Sequence, residues 1–274
     1  MDFAVAEWKP PERDFKFCGI QARLFSRDWR ENQRELLDLF ATLPDEEFDL
    51  IVTPEASNLY YHYDLIRQLK GGEEREYIAP FAEIARERGA HVLIGSLMVR
   101  DGDTFRNRLH LLNPQGEVVG TYDKIHLIRL FGEHLHFTPG EKLLTAEVAG
   151  WKLGFAICYD LRFAEMFLNY ALMGCHLQVL PSCWPDVRLK HWYHLYLARA
   201  QETQCFFAGV NHGGTDSEGR TYRMSVVADP DCEMLAELPE PEPGILTATL
   251  RPESLVEQKQ LYDLMAGRKP FPLP

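Results

Sequence analysis

Between His91 and Asp123 the chain reads HVLIGSLMVRDGDTFRNRLHLLNPQGEVVGTYD. Three apolar runs, HVLIGSLMV, RLHLL and EVVGTYD, follow one another with no helical pattern between them, and NPQGE is a turn signal joining the last two. The stretch reads as a β-meander, denser in strand than a Rossmann unit. Outward from it the pattern becomes an alternation. On the N-terminal side, FKFCGIQARL (Phe15 to Leu24) reads as a strand and the stripe Trp29, Leu36, Leu37 and Phe40 as a helix. FDLIVTPE is then a buried strand, and Phe81 to Arg88 lies in a second helix with Phe81, Ile84 and Ala85 on one face. On the C-terminal side the order repeats: KLGFAI ending at Ile157, a helix carrying Phe163, Phe167, Tyr170 and Ala171, the strand HLQVLPS, and a long helix from about Leu189 to Gln204. CFFAGVN, RMSVVAD and GILTATL add strands, and a last helix is expected near Glu253 to Met265. Many strands with helices on two outer faces predict an α/β fold in which two sheets pack together, each covered by helices.

Nothing divides the 274 residues. Repeats, low-complexity tracts and linkers are absent, so one domain over 1–274 is expected, with a core of about 15–250 and a C-terminal tail, 251–274. Apolar residues at 46% and charged residues at 26% are globular usage and exclude a disordered chain. The net charge of −12 argues against nucleic acid or an anionic membrane as partner, since either needs a basic face. Apolar stretches such as VLIGSLMV fall far short of the roughly 18 residues of a membrane span. The opening MDFAVAEWKPPERDF has no apolar signal core, which predicts a cytoplasmic protein, and its six scattered cysteines are then expected as free thiols. No phosphate-cradling glycine string occurs, so no cofactor is expected. His134 with His136, and His191 with His194, lack the company a zinc site needs, so no metal is expected either.

Three ionisable residues stand where the chain leaves a strand: Glu55 after LIVTP, Lys124 after VVGTYD, and Cys158 after LGFAI. Open α/β sheets bind ligands at the carboxyl ends of their strands, so a carboxylate, an ammonium and a thiol converge on one edge. A nearby cation, with Lys124 the candidate, or the N-terminus of the helix beginning near Leu161, would lower the thiol pKa from about 8.5 towards neutrality. Glu55 would serve as general base, and Lys124 with the Tyr159 N–H would hold a developing oxyanion. Taken singly, each residue also reads as ordinary: a buried structural thiol, or solvated charges at strand ends.

The blocks LIVTPEAS (Leu50 to Ser57), GTYDKIHL (Gly120 to Leu127) and GFAICYDLRFAEMF (Gly154 to Phe167), in that order, resemble the nitrilase superfamily of carbon–nitrogen hydrolases. The resemblance runs from about Phe15 to Leu250 and implies a four-layer α-β-β-α sandwich, a Glu55 base, a Lys124 that stabilises the intermediate and donates a proton, and a Cys158 nucleophile. Glu133, in FGEHLHFTPG, matches a second family glutamate near the lysine; the other reading is a surface carboxylate. Asn107 matches the family's usual asparagine and equally suits strand pairing. Trp192, Arg199, Glu202 and Asn211 also match; Trp192, Leu195, Tyr196 and Arg199 share a helix face, so Arg199 and Glu202 read as a structural pair. RMS and DPDC, at Arg223–Ser225 and Asp229–Cys232, depart from the family's Gly-x-Ser and Asp-Pro-x-Gly, which puts the local pocket wall or a dimer contact in doubt.

Within the superfamily YDKIHL, EHLHFTPG and CYDLRF look most like the omega-amidase branch, which hydrolyses the terminal amide of 2-oxo dicarboxylic acid monoamides. Such a small-molecule substrate needs a cation for its carboxylate. Arg162, four residues after the cysteine, is the candidate, with Arg129 and Arg188 as rivals and a capping or salt-bridge role as its ordinary reading. Trp184 is the candidate for lining the pocket. Another superfamily amidase, acting on deaminated glutathione, an N-carbamoyl amine or a nitrile, would use the same trio. A non-catalytic scaffold should lack a trio member, and a thiol redox protein would want a resolving cysteine such as Cys175 or Cys183 near Cys158. The resemblance also implies a homodimer or higher homo-oligomer, with the proline-rich GRKPFPLP (Gly267 to Pro274) reaching a neighbour.

Overall fold

A computed structural model describes residues 8–269. The first half runs β1 (Phe15–Gln21), α1 (Trp29–Ala41), β2 (Leu50–Val52), a one-turn α2 (Tyr63–Ile66), α3 (Glu74–Arg88), β3 (His91–Asp101), β4 (Thr104–Leu112) and β5 (Val118–Asp123). The second runs β6 (Leu144–Val148), β7 (Trp151–Phe155), α4 (Ala164–Leu172), β8 (Leu177–Pro181), α5 (Leu189–Thr203) and β9 (Phe206–Val210). It continues through the two-residue arms β10 (Gly214–Thr215) and β11 (Thr221–Tyr222), then β12 (Ser225–Ala228), β13 (Met234–Leu238), β14 (Gly244–Leu250) and α6 (Pro252–Leu261).

Two six-stranded sheets result, ordered β14-β1-β2-β3-β4-β5 and β13-β12-β9-β8-β7-β6. At the centre of each lie three parallel strands, β1-β2-β3 and β7-β8-β9, with antiparallel strands on both sides. The period-2 alternation of strands explains the layering. In β1, Phe15 and Phe17 join a core with Leu153, Phe155, Leu177 and Val179 of the other sheet, whereas Cys18 and Ile20 face outward into a second core with Leu36 and Phe40 of α1 and Tyr77, Phe81 and Ala85 of α3. On the far side, Met166, Phe167 and Tyr170 of α4 and Trp192, Tyr196 and Ala200 of α5 cover the second sheet. The expected α-β-β-α sandwich is the observed one.

A bulge in β3 shapes the site. The partners of Ile94 and Leu97 on β4 are His110 and Arg108, so β3 holds one residue more than its neighbour between them. The residues facing α1 and α3 accordingly switch parity, from Val92 and Ile94 to Leu97 and Val99. At Gly95 a Cβ would stand 1.9 Å from the Thr53 carbonyl oxygen, so only glycine lets β3 pass this close to the end of β2. Ser96 then accepts Ala56 N–H on its hydroxyl and Ser57 N–H on its carbonyl, both at 2.8 Å. These bonds fix the turn that carries Glu55.

Three local readings differ from expectation. The helix expected near Leu161 begins at Ala164, because Cys158–Arg162 is a 3₁₀ turn. The strands β6 and β13 and the β10–β11 hairpin carry short or half-exposed patterns that apolar periodicity does not pick out. The last helix stops at Leu261, after which Leu264 N–H meets the Gln204 side chain and Met265 packs on Ala171, Leu172 and Cys205 of the same chain. Of the tail GRKPFPLP, residues 270–274 lie outside the described residues.

Candidate active site

Glu55, Lys124, Glu133 and Cys158 meet at one end of the two sheets, all buried. Glu55 leaves β2 through the turn held by the β3 bulge, with Ala56 in the left-handed region at φ 56°. Its Oε1 accepts from Tyr61 Oη at 2.7 Å, Asn107 Nδ2 at 2.9 Å and Lys124 Nζ at 2.9 Å, and its Oε2 accepts Cys183 N–H at 2.8 Å. Asn107 thus does both things open to it, since its backbone carbonyl also takes Lys124 N–H just beyond β5. Gly140, where a Cβ would strike the Asp123 carbonyl oxygen at 2.1 Å, bonds the Lys124 carbonyl from the other side. Glu133, on a single 3₁₀ turn, receives Lys124 Nζ on Oε1 at 2.8 Å and is no surface carboxylate.

Two carboxylates around one buried ammonium set the electrostatics. Burial works against charge on Lys124, but Glu133 and Glu55 together hold its pKa well above the ordinary lysine value. Burial would likewise raise Glu55; the Lys124 charge and the hydrogen bonds from Lys124 and Tyr61 outweigh it and leave Glu55 below the usual carboxylate value. Glu133 is raised, through burial and the neighbouring Glu55, with Lys124 opposing. Glu55 is therefore the more readily ionised carboxylate of the two.

Cys158 sits just after β7 with φ at 45°, a strained left-handed conformation for a residue with a side chain. Buried Asp160 holds it there, accepting Ile157 N–H at 2.9 Å and Tyr122 Oη at 2.6 Å on Oδ2, and His126 N–H at 2.9 Å and Nδ1 at 2.7 Å on Oδ1. One carboxylate thereby ties the cysteine turn to the segment that carries Lys124. The expected lowering of the thiol pKa does not occur: burial, then the Glu55 carboxylate, push Cys158 well above the ordinary thiol value, against Lys124 and the Cys183 N–H. The Lys124 charge is already matched by Glu55 and Glu133, and the short 3₁₀ turn replaces the helix N-terminus. Cys158 rests as a thiol beside the Glu55 carboxylate.

Above these groups opens a cavity of about 600 Å³ lined by Tyr60, Tyr61, Cys158, Tyr159, Cys183, Trp184 and Tyr222, among others. Trp184 donates Nε1–H to the Arg188 carbonyl at 2.9 Å, and the Arg162 guanidinium lies 4.6 Å over its ring. Among the described residues neither Arg162 nor Arg188 has a carboxylate within ion-pair reach, whereas Arg220, on the cavity wall, is matched by Asp216 and Glu218. Arg188 lines the cavity too; Arg129 is exposed and does not. Arg199 pairs with Glu202 at 2.6 Å and donates to the Leu161 carbonyl, a structural brace behind the cysteine turn. Arg223 binds Asp186 at 3.1 Å and the Pro239 carbonyl, bracing the wall where the family pattern is missing. Among the described residues no group of three or more His, Cys, Asp or Glu side chains is placed to hold a metal. Sequence reasoning missed Tyr61, Asp160 and His212, and named Cys183 only as a resolving thiol, not as the N–H donor to Glu55. Only Asp160, two residues past the cysteine and opening a turn, carries a local signal.

Comparison with known proteins matches this geometry. A 2-oxoglutaramate amidase of Paenarthrobacter nicotinovorans is 32% identical over 97% of this chain and 93% of its own. A CN-hydrolase superfamily protein from Xanthomonas campestris, solved with an arsenic adduct in its active site, superposes with a TM-score of 0.85 at 28% identity, covering 96% of this chain and 100% of its own. A variant of the amidase from Nesterenkonia sp. AN1, with the acetamide moiety of fluoroacetamide added covalently at the active-site cysteine, gives 0.82 at 26% identity over 95% and 96%. The carbon-nitrogen hydrolase family model matches residues 19–260, and with strand ends that bring a glutamate, a lysine and a cysteine together, this chain belongs to that family, within the nitrilase superfamily.

Proposed function

We propose that this carbon–nitrogen hydrolase is an omega-amidase, releasing ammonia from the terminal amide of a 2-oxo dicarboxylic acid monoamide, with Glu55, Lys124, Cys158 and Glu133 as its catalytic residues. The observation that carries the reading is a resting Cys158 thiol that lines the cavity beside an ionised, charge-held Glu55, in a cavity that also presents Arg162 without a carboxylate partner. Three donors occupy Oε1, whereas among the described residues Oε2 accepts Cys183 N–H alone, so Oε2 is the oxygen that takes the thiol proton. Sulfur attacks the amide carbon as this proton moves, and Lys124 with Tyr159 N–H holds the oxyanion. The proton passes to the departing nitrogen, ammonia leaves, and a thioester remains. Water, losing its proton to Glu55, then attacks the thioester and frees the acid and the thiol. Glu133 keeps Lys124 charged and in place throughout, while Arg162, flattened on Trp184, takes the far carboxylate. The relatives named 2-oxoglutaramate amidase support the substrate.

The test is ammonia release from 2-oxoglutaramate, succinamate, glutamine and a simple nitrile by the wild type and Cys158→Ala. Release from the oxo acid amide that vanishes in the variant is expected. Activity surviving in Cys158→Ala would sink the mechanism, and a wild type that ignores the oxo acid amide would move the substrate to carbamoyl or peptide-like amides. The proposal extends to a single domain that acts as a cytoplasmic homo-oligomer, at least a dimer; no helix among the described residues is long and apolar enough to cross a membrane. Removing Lys269 to Pro274 should weaken self-association in analytical ultracentrifugation, and an unchanged profile would reject the tail as an interface element.

A further inference from the structure

His212 lies two residues past β9, in the second sheet, yet its Nε2 stands 2.6 Å from the backbone carbonyl oxygen of Glu55, which belongs to the first. A carbonyl only accepts, so the ring is protonated at Nε2, and its Nδ1 has no partner. The imidazole is fully buried, and burial holds its pKa near 4, so it is a neutral donor at working pH. Around it the packing is tight: the ring stacks on Phe25 at 5.2 Å and 16°, and the His212 backbone N–H donates to Asn211 Oδ1 at 3.0 Å. That same Oδ1 accepts Trp184 N–H at 2.8 Å, and Asn211 Nδ2 donates to the Trp184 carbonyl. Asn211 and His212 therefore bracket both the residue that carries the base and the segment that supplies Cys183 N–H to its Oε2.

The strand end needs such a tie. Ser96 secures Ala56 and Ser57, the residues after Glu55, from within the first sheet, and the chain at Ala56 is strained. Cys158 arrives from the other sheet. A small slide of one sheet on the other would change the reach from Oε2 to the thiol, and a misplacement of about 1 Å can lower a rate by about a hundredfold. We infer that His212 is a positioning residue for the general base: its Nε2–H, donated across the inter-sheet boundary to the Glu55 carbonyl, fixes where the Glu55 carboxylate stands relative to Cys158. The inference rests on Glu55 being the base.

Two substitutions separate the hydrogen bond from the packing. His212→Phe keeps a ring on Phe25 and loses the donor; His212→Gln loses the ring and places an amide N–H at the Nε2 position. With the carbonyl left unsatisfied, His212→Phe should lower kcat about 10- to 100-fold at unchanged KM, while His212→Gln stays within about threefold. A His212→Phe enzyme with wild-type kcat, a His212→Gln enzyme as impaired as it, or effects confined to KM would each overturn the inference. Should His212→Phe not fold, ¹⁵N NMR of the wild-type imidazole decides: a neutral ring protonated at Nε2 supports the bond, and one protonated at Nδ1 rejects it. Glu55→Gln is measured alongside. If it keeps turnover, the base assignment itself falls; if it is silent while His212→Phe works normally, only the positioning role does.

Discussion

The strand end at Glu55 and the strand end at Cys158 solve opposite problems. Both turns place a residue in the left-handed region, Ala56 in one and Cys158 in the other. At Glu55 the surroundings favour charge: an ammonium, a phenol and an amide converge on one oxygen, and the carboxylate stays ionised inside the protein. At Cys158 the surroundings oppose charge, because burial and the Glu55 carboxylate both penalise a thiolate. A carboxylate desolvated but paired, next to a thiol desolvated and unpaired, is a proton acceptor facing a proton donor. On the proposed mechanism the nucleophile is made at the moment of attack, and the two sheets must keep their register for that to happen.

Glu55→Gln strikes this contrast hardest. With the base gone, kcat should fall by about 10²- to 10⁴-fold at nearly constant KM. The carboxylate also raises the Cys158 pKa, so its removal should move the thiol titration downward, giving a more readily ionised cysteine in a nearly dead enzyme. The thiolate absorbance of the wild type should emerge only well above the ordinary thiol range. A wild-type thiolate already present at neutral pH would show that the surroundings of Cys158 favour charge after all. In kcat/KM the acidic limb belongs to Glu55: its pKa is lowered, so activity persists below the usual carboxylate range and is lost as pH falls through that lowered value.

A smaller effect is expected where the two ends are joined. Asp160→Asn keeps the shape but cannot accept all four hydrogen bonds, so it should cost about 1–3 kcal/mol of stability in denaturant unfolding and reduce kcat by about tenfold or more. Unchanged kcat would show that the cysteine turn holds its strained conformation unaided. Smallest in the chemistry, though not in selectivity, is Arg162→Ala. It should raise KM for carboxylate-bearing amides about 10- to 100-fold and leave a neutral amide such as butyramide nearly untouched, as loss of a charge-assisted hydrogen bond worth about 1.5–3 kcal/mol predicts. Equal effects on both amides would return Arg162 to a packing role.

The layers were legible because the alternation of Phe15, Phe17 with Cys18, Ile20 and the stripe of Leu36 and Phe40 report burial directly. Glu55, Lys124 and Cys158 were legible because each stands at the end of an apolar run. Tyr61 and His212 were not, since they reach the site from loops, and whether a loop aromatic turns inward depends on contacts with residues far along the chain. The misjudged thiol has a similar origin. The resemblance already set Glu133 near Lys124, but that two carboxylates leave the ammonium too little charge to offset the burial of the thiol depends on the folded distances and depths. His212 bonds a residue 157 positions away, and no local pattern encodes that.

The return of β14 to the first sheet bears on how the molecule is made. β1 pairs along its whole length with β14, Phe15 opposite Leu250 and Gln21 opposite Gly244. During synthesis the sheet that carries Glu55 and Lys124 therefore keeps an open, apolar edge until Gly244–Leu250 has left the ribosome, while β6 to β13 can assemble earlier without it. An open strand edge of this kind is a template for pairing with other chains. A chain that ends before Gly244 would present that edge permanently, so premature termination should yield aggregates rather than a partly active enzyme.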